Sequence, residues 1–159
     1  MNKKLIILII FICLLFVGIY SYIQKKFTFD ESTYLKPPIT FSDEKLWKLI
    51  NEYRKDNGLQ EWTLDQRLCD FAQIRAKESS IHFRHDEFNN YLGKFERYCP
   101  ECSFMNENLS VSHSEEHTLS GWIHSPGHKR LLDSDFHIGC VRSVLEHGSV
   151  YTSLIVGKL

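Results

Sequence analysis

The chain has 159 residues, and its 19 basic and 20 acidic side chains leave a net charge of −1. That balance argues against a partner held by charge alone, nucleic acid above all. The length beyond the N-terminal segment suffices for one hydrophobic core and hardly for two.

Leu5 to Ile23 carries no charge and is flanked by Lys3, Lys4, Lys25 and Lys26. At about 1.5 Å of rise per residue the run reaches about 28 Å, close to the thickness of a bilayer hydrocarbon core. Its exit, Val17-Gly18-Ile19-Tyr20-Ser21-Tyr22, suits an interfacial aromatic belt better than a signal-peptide cut site. Residues 1–23 are therefore predicted to be an uncleaved signal anchor, single-pass in the cell membrane with the domain facing outside. Secretion after cleavage is the alternative. Cys13 follows Phe11 and Ile12 and reads as a buried thiol of the span rather than a lipidated cysteine. Residues 24–40, with Pro37-Pro38 and no sustained period, read as a linker, and 41–159 as one globular domain.

Within that domain Ser42 caps a predicted helix whose apolar positions Leu46, Leu49, Ile50 and Tyr53 follow the helical period, and Asn57-Gly58 ends it. Thr63 with Gln66 predicts a capping box for a second helix that turns Leu64, Leu68, Phe71 and Ala72 to one face. The segment from Asp86 to Met105 has no period. Glu107 to Ser112 reads as a short strand, and Ser114 caps a third helix with Glu115 and Glu116 in its first turn and Leu119, Trp122 and Ile123 inward. Ser125 and Pro126 open another helix, which fixes His128 in its first turn. His137 to Leu145 and Val150 to Val156 form an antiparallel hairpin. Helices first, strands last and no repeated βα unit predict an α+β fold, a small antiparallel sheet covered by helices.

The run from Asn106 to Gly139 is the most site-like, because it sets the carboxylate of Glu107 near a helix ending at Trp122 and a backbone-fixed His128. With Leu49-Ile50-Asn51-Glu52-Tyr53-Arg54, Asn57-Gly58-Leu59, His82-Phe83-Arg84-His85, Asn106-Glu107-Asn108-Leu109, Trp122-Ile123-His124-Ser125-Pro126-Gly127-His128 and Ile138-Gly139-Cys140 in order, the chain from about residue 43 onward resembles a bacterial SCP-like domain of the CAP superfamily. The superfamily takes in cysteine-rich secretory, antigen-five and pathogenesis-related proteins. The resemblance implies an α-β-α sandwich with a central antiparallel sheet, a secreted or surface location, and a cleft of two His and two acidic residues. By position the cleft residues fall on His85, Glu107 and His128, and the second acidic position falls on Ser125. It also implies divalent-cation binding at the His pair, Zn²⁺ or another ion, and a lipid, sterol or cell-wall ligand, without a general catalytic reaction.

Two imidazoles from different elements can hold a Zn²⁺ with water completing the site and Glu107 orienting a ligand or accepting a proton. Against this, His85 and His128 could simply hold loops by hydrogen bonding, and Glu107 could accept backbone N–H bonds. Trp122, Phe83 and Tyr53 read as core. His113-Ser114-Glu115-Glu116-His117 matches the H-x-x-E-H arrangement of inverted zinc peptidases, but Ser114 as cap would leave His113 outside the helix. Cys99 and Cys102 with His113 and His117 approach zinc-finger spacing. Outside the membrane, Cys69, Cys99, Cys102 and Cys140 allow three disulfide pairings, a local Cys99–Cys102 bond among them, while Cys69 and Cys140 read equally as buried thiols.

The functional expectation is a membrane-anchored CAP domain that binds a cell-envelope component. A metal-dependent hydrolase with Glu107 as base is one alternative, and a structural surface protein with a vestigial cleft another.

Overall fold

The computed structural model describes residues 3, 15–22, 39–89 and 97–159, at Asp86 and Glu87 through the backbone alone. Residues 15–22 are helical. Among the described residues no helix is long and apolar enough to cross a membrane. Most of the anchor expected over 5–23 lies outside them.

From Ile39 onward the chain forms one compact unit. Its first helix, α1 (Asp43–Asp56), starts where the Ser42 side chain accepts the Lys45 N–H. It stops in a Schellman motif: the Gly58 N–H bonds to Lys55 O and the Leu59 N–H to Arg54 O, with Gly58 at a φ of 72° that favours glycine.

Strand β1 (Thr63–Leu64) follows, and then α2 (Gln66–Ile81). The capping box expected at Thr63 does not form. Thr63 donates its N–H to His137 O as part of a sheet, and the cap falls to Asp65, whose carboxylate accepts the Arg67 N–H. Leu64 consequently leaves the helical face and stands 52 % exposed, while Leu68, Phe71 and Ala72 are buried.

A short α3 (Asp86–Asn89) precedes β2 (Phe104–Ser112), which is longer than the 107–112 strand expected. Next come α4 (Glu115–His124) and α5 (Pro126–Leu132), then β3 (Ile138–Glu146) and β4 (Ser149–Lys158). The last two are joined by His147 and Gly148, both at positive φ, 52° and 74°, the requirement of a tight hairpin turn that follows the strand twist.

The sheet order is β1-β3-β4-β2. It is mixed rather than wholly antiparallel, because β1 runs parallel to β3 with Thr63 opposite Ile138. Strand alternation then sorts the core into two layers. Val141, Leu154 and Val156 face Leu46, Ile50, Trp62 and Trp122 of the α1/α4/α5 side, while Met105, Cys140 and Ile155 face Leu68, Phe71 and Ala72 of α2. The result is a sheet with helices on both faces.

The Cys69–Cys140 disulfide, buried at both ends, fastens α2 to β3 across 71 residues of chain. It replaces the reading of two buried thiols. Closing a loop of that size contributes about 4 kcal/mol in the chain-entropy picture. Cys99 and Cys102 form a second, local disulfide in the turn before β2. The Sγ of Cys102 lies 2.6 Å from where a Cβ on residue 157 would stand, so the turn packs against β4 only because that residue is Gly157.

Candidate functional site

Strand β2 lies at the edge of the sheet, and its alternating side chains reach both helical layers. Glu107 points to the α2 side, where Arg75 waits; Asn108 points to the other, where its amide donates to His128 O at 3.0 Å. The two imidazoles of the sequence therefore meet across this edge, one from the loop after α2 and one from the first turn of α5. Their ring centroids are 6.2 Å apart. His85, Glu107 and His128 line one cavity of about 380 Å³, together with Phe88, Met105 and Leu131. Its size and mixed lining suit a small-molecule site.

Glu107 is held by more than the resemblance implied. Its side chain is 1 % exposed and that of Arg75 not at all. Nε and Nη2 of Arg75 donate to the two carboxylate oxygens at 3.0 Å each, and His85 Nδ1 lies 3.0 Å from Oε1. Arg75 also pairs with Glu78 and donates from Nη2 to Arg84 O, so one guanidinium fixes both the carboxylate and the loop that carries His85. Burial works against its charge, but Glu107 and Glu78 outweigh this and raise its pKa. Arg75 was missed from the sequence. Its signal was there: it follows Leu68, Phe71 and Ala72 on the buried face of α2, where an arginine requires a partner.

His128 sits deeper than His85, whose side chain is 51 % exposed. Burial and the neighbouring His85 both push the His128 pKa below the ordinary value of 6.5, so at neutral pH its imidazole is an uncharged donor of a lone pair. Ser125 occupies the cap position of α5 but makes no side-chain cap bond, and it is not among the residues lining the cavity.

Other sequence expectations change. Phe83, read as core, is 51 % exposed beside His85, because the backbone leaves helical geometry at His82. Trp122 is core, with its indole N–H donated to Leu109 O, and Tyr53 packs against the same layer with its hydroxyl on Asp133. The H-x-x-E-H reading fails on geometry: Ser114 caps α4, His113 lies before it, and Glu116 pairs with Lys45. The zinc-finger reading fails because Cys99 and Cys102 are bonded to each other. Among the described residues no group of three or more His, Cys, Asp or Glu is arranged to hold a metal.

The solved structures that this fold resembles include a cysteine-rich secretory protein from Staphylococcus aureus, at TM-score 0.61 and 23 % identity over 74 % of this chain and 38 % of that one. An outer surface protein from Borrelia burgdorferi matches at TM-score 0.56 and 21 % identity, covering 72 % of this chain and 90 % of that one. An extracellular protein containing an SCP domain from Bacillus anthracis matches at TM-score 0.56 and 21 % identity, over 73 % and 40 % of the two chains. In sequence the chain is 24 % identical to the Bacillus subtilis protein YkwD over 123 residues, 73 % of this chain and 47 % of the relative. It thus spans about half the length of that protein. The profile of the Cysteine-rich secretory protein family matches residues 47–156, most of the described domain and all of the cavity's polar residues. The chain belongs to that family, by the match of residues 47–156 within the compact unit that starts at Ile39.

Proposed function

We propose that this CAP domain is an outward-facing binding module, held at the cell membrane by residues 5–23, and that the cavity of His85, Glu107 and His128 receives its ligand. The observation that carries this reading is the state of Glu107. Both its oxygens are engaged, by two N–H groups of Arg75 and by His85, and its side chain is buried, so the carboxylate is placed to orient the site rather than to activate a water. A hydrolase with Glu107 as base is correspondingly disfavoured.

The same contact supports a divalent cation, Zn²⁺ in the first place. Imidazoles that bind metal commonly hold the second ring nitrogen against a carboxylate. His85 does so through Nδ1, which leaves Nε2 as its metal-binding atom. The neutral His128 ring stands 6.2 Å away between centroids, about 1 Å wider than two imidazoles sharing one tetrahedral ion with Zn–N bonds of about 2.0–2.1 Å, so an ion would draw the two rings together. The remaining positions would belong to water or to the ligand, a lipid, sterol or cell-wall component of the envelope. Two disulfides favour an oxidising compartment, and the similar solved proteins are named as outer surface, secretory and extracellular proteins.

Calorimetric titration of the full chain with zinc at pH 7.5 tests the reading. One equivalent bound by the wild type and lost in folded His85→Ala/His128→Ala supports it; no binding by the wild type removes the ion.

A further inference from the structure

The cavity at His85 and His128 does not end there. A second cavity of about 230 Å³ shares Phe104, Asn106, Gly127 and Leu131 with it and continues past Arg130 to Phe136. Its lining contains one ionisable residue, Arg130, an exposed guanidinium that makes no side-chain hydrogen bond or ion pair among the described residues. Neighbouring charges are already matched: Lys129 with Asp133, and Lys158 with Asp135.

Phe104 stacks on Phe136 with ring centroids 6.1 Å apart, and Phe104 remains 51 % exposed. Between this aromatic pair and the His pair stands Asn106. Its Oδ1 accepts the Glu107 N–H, and its amide N–H₂ has no partner among the described residues. The groove thus offers an open aromatic face bordered by two sets of unused N–H donors, one of them cationic.

We propose that the two cavities form one groove that takes an acidic oligosaccharide, with a carboxylate on Arg130 and a sugar ring on Phe104. This rests on the reading that the His-lined cavity is a ligand site. The C–H face of a pyranose is apolar and weakly positive and packs on the negative face of an aromatic ring. Its hydroxyls and ring oxygen accept from an amide such as that of Asn106, and a carboxylate is matched in shape and charge by a guanidinium. An acyl chain would need a continuous apolar lining, which Asn106, Gly127, Arg130 and Ser134 interrupt.

Calorimetry on the full chain with tetragalacturonate, maltotetraose and laurate separates the possibilities. Tetragalacturonate is expected to bind, maltotetraose about tenfold more weakly, and Arg130→Gln and Phe104→Ala each to lose about tenfold in affinity for the acidic sugar. Arg130 is exposed, so its variant is expected to melt like the wild type; Phe104 is half-exposed, and its variant is expected to stay folded with a lowered melting temperature from the lost stacking on Phe136. Absence of tetragalacturonate binding, unchanged affinity in both variants, or a preference for laurate overturns the proposal. Zinc titration of the same samples distinguishes the failures: zinc bound without sugar removes the groove alone, and neither bound removes the ligand site as well.

Discussion

Arg75 and Glu107 face each other as a fully buried bidentate pair, with both N–H···O distances at 3.0 Å. Because the pair joins α2 to the edge strand, everything in the cavity is referred to it. Glu107 orients His85 through Nδ1, and Arg75 holds the preceding loop at Arg84 O.

Arg75→Met is expected to destabilise the fold by about 3–5 kcal/mol, since it strands a buried carboxylate. Adding Glu107→Leu is expected to recover much of that loss, because two apolar side chains remove the uncompensated charge along with its partner. Urea denaturation of the two variants beside the wild type measures both effects. A double variant less stable than Arg75→Met would show that the pair itself carries the stability.

Asn108 is 2 % exposed and ties β2 to the backbone of His128. Asn108→Ala is expected to cost about 1–2 kcal/mol. It should also weaken zinc binding without removing either imidazole. Denaturation and calorimetry on one variant read the two consequences separately, and unaltered zinc affinity would detach Asn108 from the site.

The pH dependence of His128 follows from its depressed pKa. The unfolded chain takes up a proton near 6.5, while the folded chain resists protonation until a lower pH. Stability attached to this group is therefore complete above 6.5 and falls as pH drops from 6.5 through the folded value. His128→Asn is expected to flatten the stability–pH curve in that window. Chemical denaturation at stepped pH is the check, and a curve as steep as the wild type's would assign the slope to other groups.

The two disulfides should differ in weight. Removing Cys69–Cys140 is expected to cost about 4 kcal/mol and removing Cys99–Cys102 about 2 kcal/mol, because the closed loops differ so much in length. Paired Cys→Ala variants followed by thermal unfolding test the order. Equal losses would point to native packing around Cys102 and Gly157 rather than to loop closure.

Much of this was legible in the sequence where the signal is local. Ser42 and Ser114 cap their helices, Gly58 ends α1, and the C-terminal hairpin turns at His147-Gly148. Long-range pairings were less legible. Thr63 reads as a helix cap by its spacing to Gln66, but bonding to His137 makes it a strand, and only the fold brings residue 137 there. Phe83 reads as core by its chemistry, yet the chain leaves the helix at His82 and carries it outward. In the site, His85, Glu107 and His128 were placed by resemblance, whereas the charge partner of Glu107 lay 32 residues earlier on a helix face that reads as apolar. A buried arginine in phase with leucine and phenylalanine is the mark that was available.

The central claim, an ion held between two imidazoles, is tested most directly by following the ring signals of the eight histidines by NMR during a zinc titration of the full chain. His85 and His128 are expected to shift together and saturate at one equivalent, with His113 and His117 unchanged. Zinc-independent signals for His85 and His128, or shifts confined to other histidines, would contradict it.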